Sequence, residues 1–369
     1  MVNRDRIVKE FMDYVQIDSL TRKEGNFAKF IRKKLEELGL KVTVDNAGEK
    51  IGSDANNIIA TLKGDKDVES IILCSHMDTV TPGEGIKPII KDDVIYSDGT
   101  TILGADNKAG IAAIIEALRV ISEENIPHGD IEVVFTIAEE GGLNGSKNLD
   151  YSKIKSKLAF VLDSGGDPGQ IIVQAPAQDK IDVKIKGKPS HAGVCPEEGI
   201  SAIQVAASAI NRMNLLRIDE DTTANIGIIK GGSATNIVCP EVDIKAEARS
   251  LQDEKLDKQT AHMVECFKQA AEEFGAEVEV ETSRAYNAFT IDENEEIVKI
   301  VKKACDNIGI KGFTDSTGGG SDTNILNANG IKSLNLGIGE RKPHTLEEHI
   351  AIKDLVDSAR LVLEIIKTV

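Results

Sequence analysis

Histidine and carboxylate side chains that could bind a metal follow short apolar segments at five places in the sequence. In chain order, these places hold His76 with Asp78, Asp106, Glu139 with Glu140, Asp163, and His344. Ligands of open α/β sheets bind at the carboxyl ends of the strands, so residues that follow apolar strands can meet at one site. Each place alone is more typical of an ordinary strand end, turn or surface, and the prediction depends on their coincidence.

Two imidazoles and three carboxylates make a ligand set that suits Zn²⁺, Co²⁺ or Mn²⁺ rather than a metal that prefers thiolates. The candidate metal ligands are His76, Asp106, Glu140, Asp163 and His344. Their three carboxylates carry −3, so two divalent ions and a bridging hydroxide would make the cluster neutral. A single ion would leave like charges uncompensated. This count predicts two metal ions, with Asp106 as the natural bridge.

Two carboxylates remain beside these ligands, Asp78 and Glu139. His76 and Asp78 are two positions apart on an extended strand and point to the same side, so Asp78 can orient the ring of His76. Glu139 adjoins the ligand Glu140 and can act as a general base. These roles predict metal-assisted hydrolysis, in which Glu139 takes a proton from water.

The elements that must position these residues indicate an α/β protein with an insert. Helices alternate with continuous apolar strands such as Ile131–Ala138, a pattern typical of a mostly parallel sheet buried on both faces. The middle of the chain contains strictly alternating strands such as Lys180–Lys186, typical of an antiparallel sheet with one solvated face. We predict an α/β catalytic domain with a mixed, mostly parallel sheet over 1–177 and 286–369, and an inserted α+β domain over 178–285.

Composition and charge disfavour several other classes of protein. The 369-residue chain has 44 Lys plus Arg and 61 Asp plus Glu, a formal net charge of −17. This charge argues against nucleic-acid partners and anionic membrane surfaces. The chain has five cysteines without a C-x-x-C motif and no apolar leader over Met1–Asp18. It also lacks an apolar run of the ~18 residues that a membrane span needs, and together these features predict a cytoplasmic protein.

Taken in order, the five clusters resemble those of the M20 family of co-catalytic zinc peptidases, and most of all its peptidase T, or tripeptide aminopeptidase, branch. The resemblance covers essentially the whole chain. It implies that the insert is a lid domain through which two copies form a homodimer, and that the Asp106–Asn107 peptide is cis. It also implies two zinc ions. His76 and Asp163 would hold one ion, Glu140 and His344 would hold the other, and Asp106 would bridge them.

Three residues of the insert resemble the substrate contacts of that family. The segment Ser190–Gly193 resembles the family's lid motif, which implies that His191 reaches the active site of the partner subunit and polarises the scissile carbonyl. Asn236 and Arg249 resemble a substrate-holding pair, and arginine suits bidentate capture of a carboxylate. A solvated position on an alternating strand is an equal alternative for Arg249. The segment Gly318–Thr323 resembles the family's G-G-[ST]-D loop near the substrate pocket.

Together these features predict a dinuclear zinc exopeptidase for short peptides, an aminopeptidase that releases the N-terminal residue of tripeptides. An M20 dipeptidase, carboxypeptidase, N-acyl-amino-acid deacylase or desuccinylase would use the same metal site, so the metal motifs leave these alternatives open. A non-catalytic metal- or peptide-binding protein would not need Asp78 or Glu139. A nucleotide-binding α/β enzyme would need G-x-G-x-x-G or a Walker lysine, which the sequence lacks.

Overall fold

The chain folds into two compact units in a computed structural model that describes residues 1–369. The first unit comprises Met1–Val173, Thr290–Ser316 and Ser321–Val369, and the second comprises Gln174–Phe289 and Thr317–Gly320. The segment Thr317–Gly320, which the sequence analysis placed within 286–369, belongs to the second unit, and its Thr317 N donates to Gln174 O of that unit. The assignment of catalytic and lid roles to these units stays a prediction.

Ten α-helices form in the chain, and they are numbered here in chain order. They are α1 (Arg4–Val15), α2 (Gly25–Glu37), α3 (Ala47–Ile51), α4 (Ala105–Glu124), α5 (Asn144–Lys147), α6 (Ala202–Arg212), α7 (Asp253–Phe274), α8 (Glu296–Ile308), α9 (Asp322–Ala328) and α10 (Ile352–Thr368). Single 3₁₀ turns occur at Tyr151–Lys153 and Pro196–Glu198. No helix is both long and apolar enough to cross a membrane.

Eighteen strands accompany the helices. They are β1 (Lys41–Val44), β2 (Ile58–Leu62), β3 (Ile71–His76), β4 (Ile89–Lys91), β5 (Val94–Tyr96), β6 (Ile131–Thr136), β7 (Leu158–Ser164), β8 (Gln170–Ala175), β9 (Ala177–Lys186), β10 (Leu216–Arg217), β11 (Thr222–Gly231), β12 (Glu241–Ser250), β13 (Glu277–Tyr286), β14 (Phe289–Thr290), β15 (Phe313–Ser316), β16 (Lys332–Gly337), β17 (Glu340–Arg341) and β18 (His349–Ala351).

A nine-stranded sheet forms the centre of the first unit, in the order β1-β2-β6-β3-β7-β16-β8-β14, with β15 paired to β8. Its four central strands, β6, β3, β7 and β16, are parallel to one another, and the flanking pairs β1–β2, β2–β6 and β16–β8 are antiparallel. Every residue of β3 and β6 is buried, as their continuous apolar sequences require. The predicted mixed, mainly parallel α/β sheet is confirmed.

The second unit contains a five-stranded antiparallel sheet in the order β10-β11-β12-β9-β13. Along β9 the residues Ile181, Val183 and Ile185 are buried, while the intervening positions are more exposed, as the alternating sequence predicts. Helices α6 and α7 pack against β9 and β12. The predicted α+β architecture of the insert is therefore present, with β11 as a strand that the sequence analysis did not identify.

A third sheet was not predicted from the sequence. It is antiparallel, has four strands in the order β17-β18-β5-β4, and belongs to the first unit. Its strands are only two or three residues long, so they are too short to show a periodic pattern. The sheet joins the segment before α4 to the segment that contains His344, which brings the last candidate ligand towards the others.

Candidate metal centre

The first candidate ligand, His76, is the last residue of β3 and is 2% exposed. The parallel register places it beside Thr136 at the end of β6, so the carboxyl ends of both strands meet here. Its Nε2 lies 2.9 Å from Asp106 Oδ1 and 3.3 Å from Asp163 Oδ1. Its Nδ1 lies 3.0 Å from the backbone oxygen of Asp78, a contact that fixes the orientation of the ring.

Asp106 lies between the two histidines of the cluster. Its Oδ1 is close to His76, and its Oδ2 is 3.1 Å from Nε2 of His344. The same Nε2 is 2.7 Å from Glu140 Oε1. One ligand atom from each of His76, Asp106 and Glu140 falls within 4.8 Å of the others. The Asp106–Asn107 peptide is cis, which confirms what the family resemblance implied.

Asp163 completes the half of the cluster around His76 and lies near the carboxyl end of β7. Its Oδ1 accepts a hydrogen bond from Asn107 Nδ2 at 2.9 Å. Its backbone N–H donates to Asn335 Oδ1 at 3.0 Å, and Asn335 Nδ2 donates back to the Asp163 backbone oxygen at 2.9 Å. The reciprocal pair joins β7 to β16. The structure thus brings all five candidate ligands together, in two groups that have Asp106 in common.

Asp78 has no solvent exposure and holds the turn that carries the two glutamates. Its Oδ1 accepts from the backbone N–H of Glu139 at 2.9 Å, and its Oδ2 accepts from that of Glu140 at 3.2 Å. The Thr21 hydroxyl donates to the same Oδ2 at 2.8 Å. The Asp78 carboxylate lies 3.4 Å from Nδ1 of His76. Asp78 therefore contacts both the histidine, as predicted, and the neighbouring turn, which was not predicted.

Two further buried carboxylates border the cluster. Glu348, 1% exposed, accepts from the backbone N–H groups of Leu103 and Gly104, both at 2.8 Å, and from that of Asp106 at 3.0 Å. In the sequence, only its position four residues after His344 distinguishes it. Glu340 is 3% exposed, and its buried Oε2 has no hydrogen-bond partner. Its position in the two-residue strand β17 gave no sequence pattern from which to predict it.

Electrostatics distinguish the half of the cluster around Asp163. Burial raises the pKa of Asp163 to about 7, against the opposing effect of His76. Burial and the nearby Asp163 charge raise the pKa of Glu139 well above its ordinary value. Burial lowers the pKa of His76, but the surrounding carboxylates outweigh it and hold that pKa well above its usual range. This half concentrates negative charge out of water and favours further positive charge.

The other half of the cluster is more accessible, and the His344 side chain is 50% exposed. Hydrogen bonds to Asp106 and Glu140 raise the pKa of His344 to about 10. Burial opposes ionisation of Asp106, but the hydrogen bonds from His344 and His76 outweigh it and lower the pKa of Asp106 below its ordinary value. Neighbouring carboxylates thus favour positive charge at both imidazoles of the cluster.

The candidate substrate contacts lie in the second unit. His191 and Asn236 are both exposed and lie on neighbouring loops. These loops are joined by an antiparallel bridge between His191 and Ile237 and by a 3.0 Å hydrogen bond from Ala192 N to Asn236 O. Nδ1 of His191 accepts from the backbone N–H of Gly193 at 3.2 Å. The two predicted contacts are therefore neighbours.

Arg249, on β12, is already engaged within the second unit. Its Nε and Nη2 donate to the two carboxylate oxygens of Glu247 at 3.0 and 3.1 Å, and its Nη1 donates to the backbone oxygen of Gly318 at 3.4 Å. The bidentate geometry is the one that a carboxylate ligand would use, but here an internal glutamate uses it.

A family model described as peptidase family M20/M25/M40 matches residues 72–368, a range that includes every candidate ligand. The chain belongs to this family. As an M20 peptidase, it is an enzyme that hydrolyses peptides.

Two solved structures resemble this M20 peptidase along its whole length. Aminopeptidase PepT from Bacillus cereus is 48% identical, with a TM-score of 0.91, and the match covers 100% of this chain and 99% of that one. A tripeptidase from Staphylococcus aureus is 46% identical, with a TM-score of 0.96 and coverage of 100% and 98%. Peptidase T of a Geobacillus species is 27% identical over 414 residues, 99% of this chain and 98% of the relative.

Proposed function

We propose that the chain is a metallo-aminopeptidase with two zinc ions per subunit, which releases the N-terminal residue of tripeptides. The observation that carries the proposal is the shared position of Asp106, whose two oxygens face His76 and His344 at 2.9 and 3.1 Å. The high identity to structures described as an aminopeptidase and a tripeptidase supports the proposed substrate class.

The donor set fits two divalent ions. Imidazole nitrogens and carboxylate oxygens are the donors that Zn²⁺ prefers when thiolates are absent, and Co²⁺ and Mn²⁺ accept the same donors. His76 and Asp163 would hold one ion, Glu140 and His344 would hold the other, and Asp106 would contact both. The raised pKa values of Asp163 and Glu139 support a site that cations would stabilise. When bound, the ions would supply Lewis-acid activation of water and of the peptide carbonyl.

The protein's own groups move the proton. Glu139 is 8% exposed, and burial raises its pKa above the ordinary value of a glutamate, the direction that suits a carboxyl group acting first as a base and then as an acid. It takes a proton from the attacking water and delivers it to the nitrogen of the leaving amine. Asp78 holds the Glu139 backbone N–H at 2.9 Å and limits the movement of this turn. The C–N bond breaks, the hydroxyl group of the water goes to the carbonyl carbon and its proton goes to the nitrogen, so the products are a carboxylic acid and an amine.

The substrate contacts and the homodimer belong to the same proposal. His191 would polarise the scissile carbonyl in the partner subunit, and Asn236 and Arg249 would hold the peptide. The outer edge of β11 supports self-association, because β10 pairs with only its first residues and Ile229 is 52% exposed. Unpaired apolar strand edges are sites at which a second chain can pair. The five cysteines are all free, as the predicted cytoplasmic location would require.

A product assay tests this function. Zinc- or manganese-loaded protein is mixed separately with a free tripeptide, the N-acetylated tripeptide and an acetylated single amino acid, and the products are identified by mass. We expect release of the N-terminal residue from the free tripeptide alone. Glu139→Gln protein purified in parallel controls for contaminating peptidases. Cleavage of an acetylated substrate would contradict aminopeptidase action and indicate a deacylase or carboxypeptidase with the same metal site.

A further inference from the structure

The turn that carries Glu139 and Glu140 has an unusual backbone. β6 ends at Thr136, and Ala138, two residues later, has a φ of +47°, in the left-handed region that non-glycine residues seldom adopt. The chain then reverses direction, and Asn144 N donates to Ala138 O at 3.0 Å across the turn. A non-glycine residue keeps such a conformation only when its surroundings hold it there.

Side chains from elsewhere in the first unit accept hydrogen bonds from four consecutive backbone N–H groups of this turn. Asn57 Oδ1 accepts from Ile137 N at 3.0 Å, and Glu24 Oε1 accepts from Ala138 N at 2.9 Å. Asp78 accepts the next two, as described above. These amides lie beyond the end of β6, so the side chains take the place of the backbone hydrogen bonds that a neighbouring strand would provide. In this way they determine the path of the backbone.

Glu24 is the central member of this set and has no solvent exposure. Its Oε1 also accepts from Arg22 N at 2.9 Å, and its Oε2 accepts from the Ser53 hydroxyl at 2.8 Å. A buried carboxylate is costly unless donors satisfy it, and this one is satisfied by a local backbone N–H, a distant hydroxyl and the amide of the left-handed residue. The contacts join the segment before α2 to the turn that carries the base.

We propose that Glu24 is a positioning residue for the proposed reaction. Its carboxylate holds Ala138 in the left-handed conformation, and so directs the Glu139 side chain towards the attacking water and the Glu140 side chain towards the metal. The proposal rests on the proposed function for its catalytic consequence. Its structural part, that Glu24 holds the turn, does not depend on any activity.

The test compares Glu24→Ala, Glu24→Gln and wild type. The amide oxygen of glutamine can still accept from the N–H groups of Ala138 and Arg22, and its Nε2 can donate to the Ser53 hydroxyl. We expect Glu24→Ala to lower kcat by ~10–100-fold, the range typical of residues that support ligands and bases from behind. KM should stay within about threefold, and Glu24→Gln should restore most of kcat.

A matched control is available on β6, the strand that leads into this turn. Glu132, near the other end of β6, is 3% exposed and accepts from the backbone N–H groups of Lys155 and Ser156 at 3.1 and 2.9 Å. Glu132→Ala also removes a buried acceptor of backbone amides and should lower the melting temperature, but it should leave kcat unchanged. An equal loss of kcat in Glu132→Ala and Glu24→Ala would mean that general destabilisation causes the effect, and would overturn the proposal.

Amide hydrogen exchange separates this inference from the proposed function. In metal-free protein, Glu24→Ala should accelerate exchange in a peptide that spans residues 134–143, whereas Glu24→Gln and Glu132→Ala should not accelerate it there. Unchanged exchange in Glu24→Ala would overturn the inference, whatever the enzyme hydrolyses. If exchange changes as expected but wild type releases no residue from free tripeptides, the proposed function fails and the assignment of Glu24 to the turn stands.

Discussion

The two units hold their candidate functional side chains in different ways. In the first unit, imidazoles and carboxylates contact one another at 2.7–3.3 Å, and buried groups such as Asp78 and Glu348 fix the backbone around them. In the second unit, His191 and Asn236 are exposed on loops, and Arg249 is bound to a neighbouring glutamate. The first-unit cluster is assembled before any substrate binds. In the second unit, His191 and Asn236 are accessible, and Arg249 would have to leave Glu247 to bind a substrate.

This difference indicates a division of labour. Preorganised groups contribute to the chemical step, because no reorganisation is needed when charge develops. Exposed or internally paired groups contribute to binding, because they form or exchange their contacts when the substrate binds. Variants of the first unit should therefore change kcat or metal affinity, and variants of the second should change KM. Three predictions test this contrast in order of decreasing effect on turnover, metal affinity or KM, and a fourth tests the stability of the second unit.

The largest effect is expected for Glu139, the proposed base. Glu139→Gln keeps the volume of the side chain but cannot accept a proton from water, so kcat should fall by ~10²–10⁴-fold, the contribution typical of general base catalysis. Metal content measured by mass spectrometry should equal that of wild type, because Glu139 is not among the proposed ligands. Near-normal turnover in this variant would remove Glu139 from the mechanism and weaken the contrast between the units.

A smaller effect is expected for Glu348, whose carboxylate accepts hydrogen bonds from backbone N–H groups beside Asp106. Glu348→Ala leaves three buried N–H groups of the segment 103–106 without their acceptor and should loosen Asp106. Metal affinity should fall by ~10–100-fold, as is typical when groups behind metal ligands are removed. Isothermal titration with Zn²⁺ measures this loss. If affinity is unchanged while KM for the peptide rises, Glu348 acts on substrate binding, and the contrast as drawn is wrong.

In the second unit, Arg249→Lys sharpens the contrast. Lysine keeps the charge but loses the bidentate geometry, so KM for a free tripeptide should rise roughly tenfold, equivalent to ~1.4 kcal/mol, with kcat within about twofold. A tripeptide amide, which lacks the terminal carboxylate, serves as the control and should show no such change. An equal effect on both peptides would mean that Arg249 supports the fold through Glu247 rather than binding the carboxylate.

The last prediction concerns the free energy of unfolding rather than catalysis, and it applies to the loop Thr317–Gly320. A Cβ at Gly320 would lie 2.3 Å from a ring carbon of Tyr286, which is 7% exposed, so Gly320→Ala forces the ring or the loop to move. We expect a loss of ~1–3 kcal/mol in the free energy of unfolding, as for other overpacked sites. Gly318→Ala meets nothing within 4 Å and should be neutral in the same denaturant titration. Equal effects would contradict the packing of this loop.

Sequence reasoning was most successful where long elements carry the residues. The apolar runs that become β3 and β6 are continuous, so their buried state, parallel pairing and polar carboxyl ends could be predicted together. The alternating run of β9 likewise predicted the antiparallel sheet of the second unit. Because strand ends meet at one edge of a parallel sheet, the proximity of His76, Glu140 and Asp163 followed from this pattern. Asp106 lies instead in the first turn of α4.

The remaining features depend on contacts between residues far apart in sequence. Glu24 reads as an ordinary charged residue before a helix, and only the fold reveals that it contacts Ala138. Asn335 reads as one polar residue within an apolar strand, and its pairing with Asp163 appears only when β7 and β16 align. The engagement of Arg249 by Glu247 could not be predicted either, since an i, i+2 pair on a strand has several available rotamers.

The most direct test of the account is a metal titration of the first-unit cluster. Metal-free protein is titrated with Zn²⁺, desalted, and assayed for bound zinc and for tripeptide turnover in the same samples, with Asp106→Ala in parallel. We predict two ions per chain in wild type, turnover that reaches its maximum as the second ion binds, and loss of both ions in Asp106→Ala. Saturation at one ion per chain with full turnover, or wild-type zinc content in Asp106→Ala, would contradict a two-metal centre shared through Asp106.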